Sequence, residues 1–399
     1  MQKKHYLLCA ALIIIPICTV TFFTVYAFWD KCEKSSKENR YLAKCPEYNA
    51  EAWFDGKYEA GLEAFLNDHV YRRDDVIDAA ANFETLLKKK QAVQMTKSTR
   101  ERKDIGTDAL ILEDRILALY INNDDITNEL IKTCRKLYDI IPEKLEKYIM
   151  ISPTRIEFEE EEYKQYSDSQ GDVIFKIYAG MPKDVKAIDS YLLMKSAVGT
   201  FGTDRLYFRT DHHWTELGAS FGANALLSAM GKNLVNPLMY EEVNQGSFYG
   251  YLAVMHNTNS DEMLPDEFIY YKNAEDIYED AYGVEGADIS QCIHEKLVEP
   301  SRAGYYTFVE RSYQYVVVEG KTKGGGNLLM INDSYGNALV PWIAEQYENI
   351  IMVDPRCFTG GKKKLLDIVK EYKADSFIIN LAGLIPGSTF AGDMKKLCK

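Results

Sequence analysis

An α/β fold built on a parallel sheet is the class this sequence predicts, and three runs near its end carry the prediction. NLLMINDS (327–334), ENIIMVDPR (348–356) and DSFIINLAG (375–383) are apolar and of strand length. ALVPWIAEQY and GKKKLLDIVKEYK, which separate them, have helical character. Strand–helix–strand–helix–strand at this rhythm is the pattern of parallel strands joined by crossover helices. Binding and chemistry in such sheets collect at the carboxyl ends of the strands. Ser334, Arg356 and Asn380 fall near those ends.

From Tyr6 to Trp29 no residue is charged, enough for a transmembrane helix of about 20 residues. Lys3 and Lys4 before it favour a cytoplasmic N-terminus, and Pro16 is tolerable inside such a helix. We expect residues 1–30 to be a single-pass anchor, in preference to a signal peptide cleaved after Val25-Tyr26-Ala27. Everything after Asp30 then lies outside the cytoplasmic membrane. Residues 31–105, with helical patterns such as AGLEAFLNDHVYRRDDVIDAAANFETLLKKK, read as a helical stalk.

Residues 106–399 read as the main domain. A helix is expected over 125–142 with Asp125 or Thr127 as N-cap, then a buried strand at KYIMISP (147–153). EFEEEEY (157–163) is a solvated acidic face. VIFKIYA (173–179) reads as a strand, IDSYLLMKSAV (188–198) as a helix, RLYFRT (205–210) as a strand and TELGASFGANALLSAMGKN as a helix. Residues 240–325 read as an irregular insertion rich in Tyr, Asn and Asp, ending in a hairpin of YQYVVVEG and KTKGGG. GKT at 320–322 is not a phosphate loop, because Tyr315 stands where the upstream glycine is needed.

Composition narrows the function. A net charge of −13 lacks the basic footprint of a nucleic-acid partner. The 28 tyrosines suit carbohydrate contact, and equally suit half-buried surfaces. The eight cysteines include no CxxC pair, so no structural zinc site is expected. Cys32 and Cys45 flank a polar stretch and could pair in an oxidising space.

Two segments carry chemistry: TDHHWTELG (210–218) and INDSYGN (331–337). A serine hydroxyl is a poor nucleophile until a base takes its proton. The usual base is a neutral histidine held in the right tautomer by a carboxylate. Ser334 sits at a strand end before a glycine-containing turn. Asp211 and His213, one residue apart, can meet on a turn while His212 points elsewhere. The competing reading for Asp333-Ser334 is a plain helix cap. A metal site from Asp211, His212 and His213 is disfavoured because adjacent side chains diverge and no HExxH occurs. There is no GxSxG elbow of a lipase or peptidase.

TDHHWTELGA resembles the signature of the DHHW family of bacterial exported proteins. These are similar to the periplasmic O-acetyltransferase domains of alginate biosynthesis. The resemblance spans roughly residues 105–399 and is strong at 204–220 and 327–356. It implies an SGNH-hydrolase-like, three-layer α/β/α fold, with Asp211 as orienter, His213 as base and Ser334 as nucleophile. It further implies Asn380 at the oxyanion, and Arg356 and Trp214 at the substrate. No metal or cofactor is implied. Asn332-Asp333 departs from the Gly-Asp of the hydrolase block.

The expected activity is O-acetylation of an exported polysaccharide on the extracytoplasmic side of the membrane. A membrane-bound O-acyltransferase is the implied acetyl carrier. A polysaccharide acetyl esterase with the same triad, and a non-catalytic polysaccharide-binding or assembly subunit, are the alternatives.

Overall fold

The computed structural model describes residues 21–22, 24–32, 34–35, 40–48, 53, 57–73, 94–96, 108–258, 263–272, 278–284, 292–302, 304–309, 313–388 and 390–399. The chain divides into two compact units, Met1–Lys90 and Gln91–Lys399. In the first, residues 24–29 are helical, Lys34–Ser35 pairs with Arg40–Tyr41, and a helix runs over Lys57–Asp68. His69 ties this unit together, with Nδ1 3.1 Å from Asp30 Oδ2 and Nε2 3.2 Å from the Ala43 carbonyl. Residues 1–20 of the expected anchor, and 74–93 of the expected stalk, lie outside the described residues. Among those described, no helix is long and apolar enough to cross a membrane. Cys32 and Cys45 are both exposed thiols and no disulfide joins them.

The second unit is a mixed α/β structure around an eight-stranded sheet. Its strands, in chain order, are β1 (Glu146–Ser152), β2 (Val185–Ile188), β3 (Tyr278–Val284), β4 (Cys292–His294), β5 (Tyr315–Gly320), β6 (Asn327–Asn332), β7 (Asn349–Val353) and β8 (Ser376–Ala382). Their order across the sheet is β4-β3-β5-β7-β6-β8-β1-β2. From β7 to β2 all pairs are parallel; β5, β3 and β4 extend that edge antiparallel. The parallel strands are continuous apolar runs because both faces are covered: Leu328–Ile331, Ile350–Val353 and Phe377–Ile379 are all buried.

Helices cover both faces. Helix α1 (Asp124–Ile140) sets Tyr138 edge-on against Phe377. Phe377 pairs in register with Leu329, three residues before Asn332, so Asn332 points to the opposite face. There α5 (Tyr335–Ile343) begins directly over it, Gly336 lying against the Asn332 side chain.

Four expectations are corrected. The N-cap of α1 is Asn123, whose side chain accepts from the Asp125 and Ile126 N–H groups, so the helix starts before Asp125 or Thr127. VIFKIYA is not a strand but part of α2 (Gln170–Ala179): Ser169 caps it through the Asp172 N–H, and Val173, Ile174 and Ile177 form one buried stripe. RLYFRT is not a strand either. After α3 (Ser190–Phe201) and a helical turn at Thr203–Leu206, its backbone bonds go partly to side chains and partly to Ile116 and one isolated bridge, instead of a ladder. The Arg155 guanidinium donates to the Tyr207 and Phe208 carbonyls, and the Arg209 N–H donates to Asp266. Finally, residues 240–325 are more regular than expected. They hold an antiparallel ribbon (Glu241–Phe248 with Asp266–Lys272) and supply β3, β4 and β5 to the main sheet. β5 pairs with β3 and β7, not with KTKGGG.

Candidate active site

The Asp-His-His-Trp segment is a closed loop at the foot of α4 (Glu216–Ala229). Tyr207 and Trp214 bridge antiparallel, and the Phe208 N–H donates to the His213 carbonyl at 3.2 Å. Thr215 caps α4 by accepting from the Gly218 N–H, and its own hydroxyl donates to the Arg205 carbonyl. The tight turn lets Asp211 reach back. Its Oδ1 accepts from the His213 N–H (3.0 Å) and lies 2.6 Å from His213 Nδ1. Its Oδ2 accepts from the Tyr251 N–H at 2.8 Å. Burial alone would push the Asp211 carboxyl up. The imidazoles of His213 and His212 and the Tyr251 N–H outweigh it and hold Asp211 well below the usual carboxylate range.

The loop is pinned from the 240–325 segment. Asp266, itself buried, accepts from the Arg209 N–H, the Thr210 N–H and the Thr210 hydroxyl. The Gly250 N–H donates to the Thr210 hydroxyl oxygen at 2.9 Å. A Cβ at Gly250 would stand 2.4 Å from the Asp211 Cβ, so the close approach requires glycine.

The serine side is built from the sheet. Ser334 is the N-cap residue of α5, immediately beyond β6. Its hydroxyl makes no capping bond. Asp333 supplies the capping instead, accepting from the Tyr335 N–H (2.9 Å) and the Ala382 N–H (2.7 Å). The plain-cap reading therefore applies to Asp333 alone.

Two tyrosines join the sides. The Tyr305 ring lies flat on His213, with centroids 3.7 Å apart and an interplanar angle of 7°; its hydroxyl donates to the Ser334 carbonyl at 2.7 Å. The Tyr335 hydroxyl donates to the His212 carbonyl at 2.8 Å, and its ring packs on Trp214 at 4.5 Å. Tyr305 thus touches both the His213 ring, which Asp211 braces, and the backbone of Ser334. Among the described residues, no hydrogen bond links the Ser334 hydroxyl to His213.

Nothing in the sequence signalled Tyr305 or Tyr251, which lie in the tyrosine-rich segment taken as irregular. Tyr335 stands beside the serine, but its bond to the His212 carbonyl is made only by the fold. Thr210 lies in TDHHW, but its Asp266 partner lies fifty-six residues further along the chain.

The remaining expected residues sit differently. Trp214, expected at the substrate, is a core side chain: it is fully buried, packed on Tyr335 and pressed against Gly222. Asn380 is also fully buried and pairs in register with Asn332. Among the described residues, neither amide atom of Asn380 has a hydrogen-bond partner, nor does Asn332 Oδ1. Arg356 grips Asp354 with Nε and Nη2, the shorter contact being 2.6 Å, and its guanidinium lies over the Phe390 ring.

The ligand atoms of Asp211, His212 and His213 lie within 4.8 Å of one another, the spacing of a potential cation site. The 2.6 Å between His213 Nδ1 and Asp211 is a hydrogen-bond distance. Two donors each about 2.0–2.1 Å from one tetrahedral zinc ion would stand further apart.

A parallel-cored α/β unit, with a carboxylate-braced imidazole and a strand-end serine both contacted by Tyr305, defines the class. Within it, a family model described as "DHHW protein" matches residues 89–353, and the chain belongs to that family. A DHHW family protein from Eubacterium siraeum has a similar structure (TM-score 0.62, 22% identity, covering 74% of this chain and 97% of that one). So does Bacillus cereus PatB1 (TM-score 0.56, 15% identity, covering 71% and 99%). The O-acetyltransferase domain of Pseudomonas putida AlgJ is a more distant match (TM-score 0.41, 13% identity, covering 71% and 96%). No curated protein matches the chain in sequence.

Proposed function

We propose that this protein is an SGNH-hydrolase-like serine O-acetyltransferase that acts on an exported polysaccharide through an acyl-enzyme. The observation that carries the proposal is the 2.6 Å contact of Asp211 with His213 Nδ1, which leaves the other ring nitrogen to take a proton. Ser334 attacks the acetyl carbonyl of the donor while His213 accepts the serine proton. The intermediate collapses, His213 returns the proton to the leaving oxygen, and Ser334 is left acetylated. His213 then takes the proton of a sugar hydroxyl as it attacks the acetyl group, and returns that proton to the Ser334 oxygen as the acyl bond to the serine breaks. The oxyanion falls to backbone amides at the foot of α5, with Asn380 enclosed in the sheet beneath.

The acetyl donor would be a membrane-bound O-acyltransferase that carries acetyl groups outward, since acetyl-coenzyme A is not available outside the cell. Residues 1–30 would anchor the chain, with the site on the extracytoplasmic face. Water in place of the sugar would make the same triad an acetyl esterase. A non-catalytic polysaccharide-binding subunit is the reading favoured by the lack of a Ser334–His213 hydrogen bond. Such bonds, however, often form only when substrate is bound.

The test is turnover of a chromogenic acetyl ester, with and without oligosaccharide acceptors, by the wild type and Ser334→Ala. We expect the variant to lose both ester cleavage and transfer. Equal activity in the two removes Ser334 from the mechanism, and no activity in either favours the binding subunit.

A further inference from the structure

We propose that Tyr305 is the positioning residue that holds the base and the nucleophile in register; the proposal rests on the serine reading above. Two independent contacts of one side chain carry it. The flat stack at 3.7 Å and 7° fixes the plane of the His213 ring. The hydroxyl at 2.7 Å from the Ser334 carbonyl fixes the serine turn. The bond to Asp211 pins one end of the imidazole, and the ring's remaining turn about that end is limited by the flat Tyr305 face, with the His212 ring 4.0 Å away and Tyr335 at 5.7 Å. Adding a plane to a pinned point fixes the direction in which the far nitrogen aims. Because the same phenol holds the serine turn, that direction is set relative to Ser334 rather than to the protein at large.

Tyr305 is itself well placed to act as a fixed gauge. It is buried, meets Phe308 edge-on at 5.2 Å and follows Gly304. Gly304 has a φ of +57°, and a Cβ there would strike the Phe248 ring. Phe248 in turn packs edge-on against Phe208, in the closed loop that bears Asp211 and His213. The gauge therefore takes its reference from the loop it serves. A buried tyrosine hydroxyl needs some partner; here that partner is the carbonyl of the nucleophile's own residue. Small misplacements of reacting groups cost rate steeply, so this contact bears on kcat.

The experiment compares full-length wild type, Tyr305→Phe and Tyr305→Leu. It measures kcat and KM for a chromogenic acetyl ester and the rate at which phenylmethylsulfonyl fluoride modifies Ser334. Phenylalanine keeps the stack and loses the hydrogen bond; we expect kcat to fall about 5–10-fold with KM within about twofold. Leucine loses both contacts; we expect a fall of about 100-fold in kcat, again at nearly constant KM, and sulfonylation slowed in proportion. Wild-type kcat and sulfonylation rates in both variants would overturn the proposal. So would losses explained by a lower folded fraction, or losses confined to KM. A wild type that neither turns over the ester nor is sulfonylated at Ser334 would overturn the serine reading and this proposal with it. A reactive wild type with unchanged variants would overturn this proposal alone.

Discussion

Ser334 and His213 rest on supports of different kinds. Ser334 follows a strand whose every residue from Leu328 to Asn332 is paired in parallel with β8, and its turn is tied to that neighbour by Asp333 and the Ala382 N–H. His213 stands in a loop with a single bridge of its own. The bonds that hold it arrive from Tyr251, Gly250 and Asp266, some forty to fifty-six residues further along the chain. The proposed nucleophile is placed by the ladder of the sheet, and the proposed base by side chains and amides of the 240–325 segment. Damage to the sheet should unfold the domain. Damage to the base's supports should leave a folded protein with a misaimed imidazole.

The sharpest break in this comparison is at Asp211. With Asp211→Asn, the fold keeps an acceptor for the Tyr251 N–H, but the His213 tautomer is no longer enforced. We expect kcat/KM for ester cleavage to fall by about 10,000-fold, with a thermal midpoint close to that of the wild type. Combining it with Ser334→Ala should cost little more than Ser334→Ala alone, because members of one catalytic unit are not additive. A full additional loss in the double variant would show that Asp211 works outside the triad.

Gly250→Ala tests the same support by bulk instead of charge. The added methyl meets Asp211 Cβ at 2.4 Å and the Thr210 carbonyl at 2.7 Å, so the turn must shift. Because a displacement of about 1 Å can cost about a hundredfold in rate, we expect a loss of that order in kcat with the sheet intact by circular dichroism. Wild-type kcat in this variant would mean that the loop tolerates movement and that its packing against Gly250 is incidental.

This difference in support also explains what could be read from the sequence. NLLMIN and SFIINLA announced themselves because strands buried on both faces are continuous apolar runs, and that pattern is local. VIFKIYA is equally apolar, and its period is ambiguous over so few residues; the Ser169 cap and the stripe of Val173, Ile174 and Ile177 decided for helix. Asp211 and His213 were legible because their contact is made within three residues. Tyr305 was not, because both of its contacts exist only once the chain has folded over the loop. Trp214, which the resemblance implied at the substrate, is instead a core side chain whose ring packs on Tyr335 and against Gly222, contacts made only once the chain has folded.

Asp266 offers a milder break. Its carboxylate accepts three hydrogen bonds from Arg209 and Thr210 while nearly fully buried. Asp266→Asn turns one acceptor into a donor facing other donors. Leaving a buried N–H unsatisfied costs about 1–3 kcal/mol, so urea unfolding should show a loss of that order. An unchanged midpoint would show that the ribbon bearing Asp266 does not stabilise the base's loop.

The smallest effect sits where the two supports meet. Glu216 opens α4 just after the Asp-His-His-Trp loop. It accepts the Tyr271 N–H from the ribbon through Oε2, and its carbonyl accepts the Trp342 indole N–H from α5. Its burial pushes the carboxyl up to about 8, against which the Tyr271 bond pulls only partly back. An unfolded glutamate titrates near 4.3, so between about pH 4.5 and 8 the native state holds a proton that the unfolded state has released. By linkage, stability then falls as pH rises through this window and levels off above it. Glu216→Gln keeps an acceptor for Tyr271 and removes the titration. We expect its thermal midpoint to match the wild type near pH 5 and to exceed it near pH 8 by an amount worth about 1–2 kcal/mol, less than the full shift would give because the site can relax or admit water. Parallel stability curves for the two proteins from pH 5 to 8 would mean that Glu216 is ionised in the folded state. The joint between base loop and nucleophile helix would then hold a buried charge instead of a neutral acid.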